Sequence, residues 1–204
     1  MADDINVWML VLCAAIAYLL GSIPFAYIFS KAFKGEDIRK KGSGNTGTAN
    51  TLRNYGWGLG LLTLAGDILK GVLAAIIGLS IAGQNGLYIA AVFAVTGHNF
   101  SVYLKFKGGK GVATTTGVLL VIQPLPTVII FSCCVLIVAI TKIMSIGSII
   151  GFIASAIVAF IISGGNIFWQ LSVLIIVVMG IIGHRENIVR LIHGNERKLN
   201  FKKR

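Results

Sequence analysis

The chain has 204 residues, 56% of them hydrophobic and only 12% charged, with a mean hydropathy of +0.87. That excludes a water-soluble domain of this size and marks a polytopic membrane protein, an all-α chain expected to form one integral-membrane domain over residues 1–204. The formal net charge of +11 follows the membrane topology and needs no nucleic-acid partner, although a basic face also attracts anionic lipids and phosphorylated substrates.

Nearly unbroken apolar runs cover residues 5–30, 57–82, 87–104, 111–122, 125–141, 146–163 and 166–183. A span needs about 20 apolar residues, so seven transmembrane helices are predicted. The first run follows Asp3 and Asp4 rather than a basic region and lacks a convincing cleavage site. It is therefore expected to stay as a helix and not to leave as a signal peptide. The fourth run is short and meets the fifth at Gln123-Pro124-Leu125-Pro126, where proline ends one helix and starts the next, so the two read as a shallow hairpin. Cys13, Cys133 and Cys134 lie inside apolar runs with no spacing for zinc or a disulfide framework and read as small buried hydrophobes. No metal or cofactor site is expected.

Between the first two runs, Gly42-Ser43-Gly44-Asn45-Thr46-Gly47-Thr48-Ala49-Asn50-Thr51-Leu52-Arg53 has an anion-binding composition. Glycines let backbone N–H groups converge on a phosphate, Ser43 and Asn45 add donors, and a guanidinium binds two oxygens at once. Such a stretch alone also reads as a flexible solvated loop. Asp67 and Lys70 stand three apart inside the second run. An unpaired charge there costs about 2.5–3.5 kcal/mol on insertion scales, so they are expected to pair, in a structural or a catalytic role.

A second polar island runs from Gly97-His98 to Lys105-Phe106-Lys107-Gly108-Gly109-Lys110-Gly111. Glycines around a lysine just before a helix can aim N–H groups and a helix N-terminus at one phosphate. It is not a Walker A loop, since Gly111 follows Lys110 where that motif wants Ser or Thr. The turn from Lys142 to Ser148 offers Ser145 and Ser148 as phosphate donors or helix caps. The third island follows the last run, from Gly183-His184-Arg185-Glu186-Asn187 through Arg190 to Gly194 and Glu196. His184 and Asn187 share a helical face and can bind one polar ligand, whereas Glu186 and Arg190 at i,i+4 brace the helix that Gly194 ends.

Seventeen of the 18 Lys and Arg fall in the loops that hold these islands, in the turn at Lys142 or after run seven, and the opposite loops carry none. The positive-inside rule then puts the N-terminus outside and the C-terminus in the cytosol. Tyr55, Trp57 and Tyr103 fall near cytosolic edges, Tyr88 and Trp169 near external ones.

The three islands together resemble the bacterial membrane acyl-phosphate:glycerol-3-phosphate acyltransferases, the PlsY family, over essentially the whole chain. The matching residues are Gly42-Ser43-Gly44-Asn45 with Asn50 and Arg53, Gly97-His98 with Lys105 to Gly111, and His184 to Asn187 with Arg190 and Glu196. Ala49 departs from the pattern, standing where the family usually has threonine, with Thr48 beside it. The resemblance implies transfer of a fatty acyl group from acyl phosphate to the 1-hydroxyl of sn-glycerol 3-phosphate, giving lysophosphatidic acid and phosphate. It implies a multi-pass protein of the bacterial inner membrane with a cytosolic site, and a functional link to an enzyme that produces acyl phosphate. Ser43, Asn45, Arg53, Lys110, His184 and Asn187 are the expected catalytic set, and Gly42, Gly44, Asn50, Lys107, Gly108, Gly109, Gly111 and Ser145 the expected substrate-binding set.

An acyl phosphate carries a good leaving group, so no covalent nucleophile is required, and catalysis would rest on positioning and charge stabilisation. The His-x4-Asp arrangement of acyl-CoA-dependent enzymes is missing: Tyr103, Val189 and Lys198 stand five residues after His98, His184 and His193. The other reading of the chain is a transporter or flippase for a phosphorylated small molecule, which intramembrane Asp67 and Lys70 would suit.

Overall fold

The computed structural model describes residues 6–199, and every regular element among them is helical. α1 (Val7–Ser22) starts on Asn6, whose Oδ1 accepts from the N–H groups of Trp8 and Met9, an N-cap that satisfies two orphan donors. Pro24 interrupts the chain, and α2 (Phe25–Lys34) resumes as an amphipathic helix closed by Gly35 at φ +69°. α3 (Thr48–Tyr55) carries the end of the first polar island.

α4 (Trp57–Asn99) is two limbs, because Ala82 and Gly83 leave helical backbone space. The chain doubles back there: a Cβ on Gly78 would lie 2.5 Å from the Gly86 carbonyl oxygen, a pair that a continuous helix would hold about 12 Å apart. α5 (Val112–Ile122), α6 (Pro124–Thr141), α7 (Met144–Ile162), α8 (Ile167–Gly183) and α9 (Arg185–Ile192) follow.

Small residues set the packing. A Cβ on Gly21 would meet the Ala94 carbonyl oxygen at 2.0 Å and one on Gly97 the Tyr18 oxygen at 2.2 Å, which seats α1 on the second limb of α4. Gly117 backs onto the Ile68 oxygen in the same way and seats α5 on the first limb. In lipid, where apolar side chains gain little by leaving the solvent, such close backbone approach is what holds helices together. α6 packs on α5 and α7 and leaves Leu125, Ile129, Leu136 and Ile140 exposed, a surface suited to lipid.

Among the described residues, four stretches are long and apolar enough to cross a membrane: 7–34, 57–104, 124–141 and 144–162. A fifth is added if α8 and α9, bent by 55° at their junction, count as one. The seven apolar runs fall on α1 with α2, the two limbs of α4, α5, α6, α7 and α8, and the first of them, expected as one helix, is broken at Pro24. Yet α5 has 11 residues, about 16 Å of helix against roughly 30 Å of hydrocarbon. The break expected at Gln123 to Pro126 is present, with α5 ending at Ile122 and Pro124 starting α6. Two further expectations change. Tyr88 is buried in the core and takes no part in an external aromatic belt, and of the three cysteines, all free, only Cys13 is buried while Cys133 is exposed.

Asp67 and Lys70 do pair, at 2.7 Å, with both side chains almost wholly enclosed. Lys70 Nζ also donates to the Ile23 carbonyl at 2.7 Å, an acceptor at the α1–α2 break. His98 Nδ1 lies 3.5 Å from the same Asp67 oxygen. The pair thus joins the α1–α2 break, the first limb of α4 and the base of the second island. Lys70→Met should cost about 3–5 kcal/mol by leaving a buried carboxylate uncompensated. Asp67→Asn with Lys70→Met should recover most of the loss in thermal unfolding in detergent, and a double variant as unstable as the single one would refute this role.

Candidate functional site

Two cavities meet at the rim of the bundle where the three polar islands converge. One, of about 470 Å³, runs between α4, α5, α6 and α7 and is lined largely by apolar side chains such as Leu61, Leu64, Phe131, Val135 and Phe152. The other, of about 280 Å³, is a polar basin lined by Gly44, Gly108, Gly109, Arg185 and Glu186 among others. Ser43, Asn45, Lys110, Arg190 and Arg197 line both and form a polar waist between them.

The first island is a loop wound around Asn50. Its Nδ2 donates to the carbonyls of Ile38, Lys41 and Asn45 at 3.3, 3.1 and 3.0 Å, and its Oδ1 accepts from Ser43 N–H at 3.0 Å. Gly42 adopts φ +58°, and a Cβ there would strike Asn50 Oδ1 at 2.5 Å. That staple presents Ser43 and Asn45 to the waist, and Gly44, at φ +72°, to the basin. Arg53 lines the apolar cavity and donates through Nη2 to the Arg197 carbonyl at 3.2 Å. Its Nε is buried with no hydrogen-bond partner among the described residues, and burial pulls the guanidinium below its ordinary pKa. A charged donor left in that condition calls for an anion.

In the second island, Gly108 and Gly109 lie so close under the chain that a Cβ would sit 2.0 Å from the His98 carbonyl oxygen and 2.0 Å from His98 Nε2, respectively. Their N–H groups are not free for a phosphate. They donate to the Asn99 and His98 carbonyls at 3.1 and 2.9 Å, which corrects the expectation of a glycine N–H cradle at these two positions. Gly111, at φ +80°, turns the chain into the N-terminus of α5, whose first N–H groups remain a source of positive potential. Lys107 is exposed and lines neither cavity.

Lys110 reaches across to α9 and donates to Asn187 Oδ1. Burial, reinforced by the Arg190 charge, lowers its ammonium pKa to about 8. Asn187 Nδ2 in turn donates to Glu196 Oε1 at 2.6 Å, Ser145 Oγ donates to the same oxygen at 3.1 Å, and Arg190 Nε donates to Oε2 at 2.7 Å. Burial opposes ionisation of Glu196, but the hydrogen bonds from Arg190, Asn187 and Ser145 outweigh it and hold the carboxyl below its usual range. Arg190 is only 3.6 Å from Glu186, so the helix brace read from the i,i+4 spacing is secondary to Glu196. His184 caps α8 with Nδ1 2.7 Å from the Gly180 carbonyl. A carbonyl only accepts, so Nδ1 carries the proton and Nε2 keeps the lone pair. The ring packs edge-on to Phe152 at 6.0 Å.

Ser43, Asn45, Arg53, Lys110, His184, Asn187 and Ser145 therefore gather around one pair of cavities. Gly42 and Asn50 shape the loop, and Gly108, Gly109 and Gly111 shape the turn under Lys110. Sequence reasoning assigned no site role to Glu196, Arg190 or Arg197. For Glu196 and Arg197 the signal was the cluster of polar residues beyond Gly194, which at φ +70° sends the chain back across the rim, whereas Arg190 reads in the sequence only as a helix brace. Thr48 lines the apolar cavity with a buried hydroxyl that has no partner among the described residues, so a hydroxyl is available one position before Ala49.

The glycerol-3-phosphate acyltransferase family model matches residues 11–194. A Clostridioides difficile (strain 630) protein named glycerol-3-phosphate acyltransferase is 41% identical over 204 residues, covering 97% of this chain and 99% of that one. A Carboxydothermus hydrogenoformans protein of the same name is 41% identical over 195 residues, covering 96% and 99%. Among solved structures, the glycerol 3-phosphate form of PlsY (YgiH), an integral membrane glycerol 3-phosphate acyltransferase, superposes with a TM-score of 0.88 at 34% identity, covering 94% of this chain and 96% of that one. The lysphosphatidic acid form of PlsY (YgiH) gives 0.84 at 32%, covering 93% and 94%.

The geometry around Lys110 makes a prediction independent of any reaction. Competitive labelling with an amine-acylating reagent, followed by peptide mass spectrometry, should show Lys110 becoming reactive with a midpoint near pH 8, well below the ordinary lysine value of about 10.4. The ammonium is present below that pH and lost above it. A midpoint at the ordinary value would contradict the burial and charge crowding described.

Proposed function

We propose, from the premise that the chain belongs to the glycerol-3-phosphate acyltransferase family, that this acyltransferase takes its acyl group from acyl phosphate and delivers it to the 1-hydroxyl of sn-glycerol 3-phosphate. The observation that carries the reading is the junction of an apolar cavity with a base-lined polar basin at Ser43, Asn45 and Lys110. One substrate is an acyl tail bearing a phosphate, and the other is a small phosphorylated alcohol. The tail lies in the larger cavity, glycerol 3-phosphate enters the basin, and the acyl carbonyl sits at the waist.

In the transfer, the 1-hydroxyl oxygen bonds to the acyl carbon, the bond from that carbon to the phosphate oxygen breaks, and inorganic phosphate leaves. Negative charge grows on the carbonyl oxygen and then on the leaving phosphate. Arg53 and Lys110 supply positive charge there, with Ser43 and Asn45 as donors, so the largest contribution is electrostatic. The hydroxyl proton passes to a phosphate oxygen of glycerol 3-phosphate itself. His184 and Asn187 position the reactants: Asn187 holds the Lys110 ammonium, and the free Nε2 of His184 is a hydrogen-bond acceptor.

The membrane arrangement proposed with this reading has seven segments, counting both limbs of α4 and the short α5. The N-terminus lies outside and the C-terminus and active site lie on the cytosolic face of a bacterial inner membrane. The positive-inside distribution of Lys and Arg supports it. A cytosolic enzyme that makes acyl phosphate would then supply the donor. A transport pathway loses its appeal because the polar groups gather at one rim.

Purified protein given labelled glycerol 3-phosphate should form lysophosphatidic acid from acyl phosphate and not from acyl-CoA. Lys110→Ala and Arg53→Ala should each lower kcat/KM by at least roughly a hundredfold, as removal of one oxyanion donor does. His184→Gln should keep measurable turnover, because the substrate phosphate still accepts the proton. Efficient turnover of acyl-CoA would defeat the donor assignment, and near-normal kinetics of Lys110→Ala would defeat the electrostatic role.

A further inference from the structure

We propose that the apolar cavity is a measuring groove and that Leu119, Thr127 and Ser155, which line it, form the floor that sets the length of acyl chain the enzyme accepts. The inference rests on the reading that the acyl tail occupies this cavity.

α6 lines the groove with Thr127, Ile130, Phe131, Cys134, Val135 and Val138, a set at three- and four-residue steps and so a single helical face. α7 faces it with Ser148, Gly151, Phe152 and Ser155. The rim is marked by Ser145, tied to Glu196. The far end is buried: Leu119 is 2% exposed, Thr127 4% and Ser155 6%. Thr127 Oγ1 donates to the carbonyls of Leu119 at 3.0 Å and Gln123 at 2.7 Å, and Ser155 Oγ donates to the Gly151 carbonyl at 2.8 Å. The hydroxyl protons are thus spent on helix carbonyls, and the floor presents no free donor to an alkyl end.

The length of α5 explains why there is a floor. α5 stops at Ile122, Pro124 starts α6 at once, and the Thr127 bond to Leu119 ties the corner shut. Gly71 and Gly117 hold α5 hard against α4, where a Cβ on either would clash with backbone oxygens at 2.5 and 2.2 Å. A short helix in a membrane domain is then a plug set partway into the bundle. From Ala139 to Thr127 the groove runs about 18 Å along α6, and from Ser145 to Ser155 about 15 Å along α7. An extended alkyl chain advances about 1.25 Å per carbon with standard sp³ bond lengths and angles. The groove therefore holds about twelve to fourteen carbons below the waist.

The test uses the full-length enzyme in lipid nanodiscs with a series of saturated acyl phosphates of graded length. For the unaltered chain, kcat/KM should peak at about twelve to fourteen carbons. Ser155→Leu should fill close to one helical turn of depth and move the peak about two to four carbons shorter. Its KM for glycerol 3-phosphate should stay within about twofold. Leu119→Ala should move the peak the other way, and Ile161→Ala, on a lipid-facing surface 73% exposed, should leave the profile unchanged. Loss by one common factor at every length in Ser155→Leu would overturn the proposal. If the enzyme uses no acyl phosphate at all, the donor assignment falls separately. Binding of lysophosphatidic acids of graded length, read by thermal shift, then decides the groove: loss confined to the longer chains supports it, and uniform loss overturns it.

Discussion

Glu196 carries its carboxylate into the rim at 2% side-chain exposure, and a charge so enclosed is tolerated only when it is fully hydrogen-bonded. Ser145 at the start of α7, Asn187 on α9 and Arg190 one turn further on all donate to it. The segment after Gly194 is thereby drawn back over the rim, where the Arg197 carbonyl receives Arg53 and Leu199 N–H donates to the Lys142 carbonyl at 2.7 Å. Asn187, held on one side by Glu196, presents Oδ1 to Lys110 on the other. Three separate parts of the chain come to one place because this carboxylate has to be satisfied.

The floor under Lys110 has its own support. Asp67 and Lys70 close a charge pair inside the first limb of α4, and His98 leans on the same carboxylate. Gly109 rests against the His98 ring with no room for a Cβ. Lys110 is thus positioned from below by one buried ion pair and from across by a hydrogen-bonded carboxylate. Both supports are polar networks in a medium where an unmatched polar group is costly, which makes them rigid as well as stabilising.

Hydropathy made the long apolar helices legible, down to the short α5 and the proline corner after it, because lipid imposes a uniform apolar requirement over each segment, but it gave neither the break at Pro24 nor α3. The three islands were legible for the complementary reason: polar residues and glycine between such segments need an explanation. What local pattern could not give was the use of each residue. Asn50 resembled a ligand donor and spends its amide on the loop, while Gly108 and Gly109 resembled a phosphate cradle and give their N–H groups to residues 99 and 98. Glu196 meets Ser145 across 51 residues, a pairing without local periodicity. Lys107 matched the basic turn of the second island but is exposed and lines neither cavity.

An apolar groove and a base-lined basin meet at one waist, an arrangement that suits a single amphiphilic donor spanning both. A non-hydrolysable acyl phosphonate carrying a photoreactive group at its chain terminus tests this most directly, with crosslinked peptides mapped by mass spectrometry. Adducts are expected on α5, α6 and α7 around Leu119, Phe131 and Ser155, suppressed by excess unlabelled donor analogue. Adducts confined to residues 108–110 or to the outward face of α6 at Leu125 and Ile129 would contradict it.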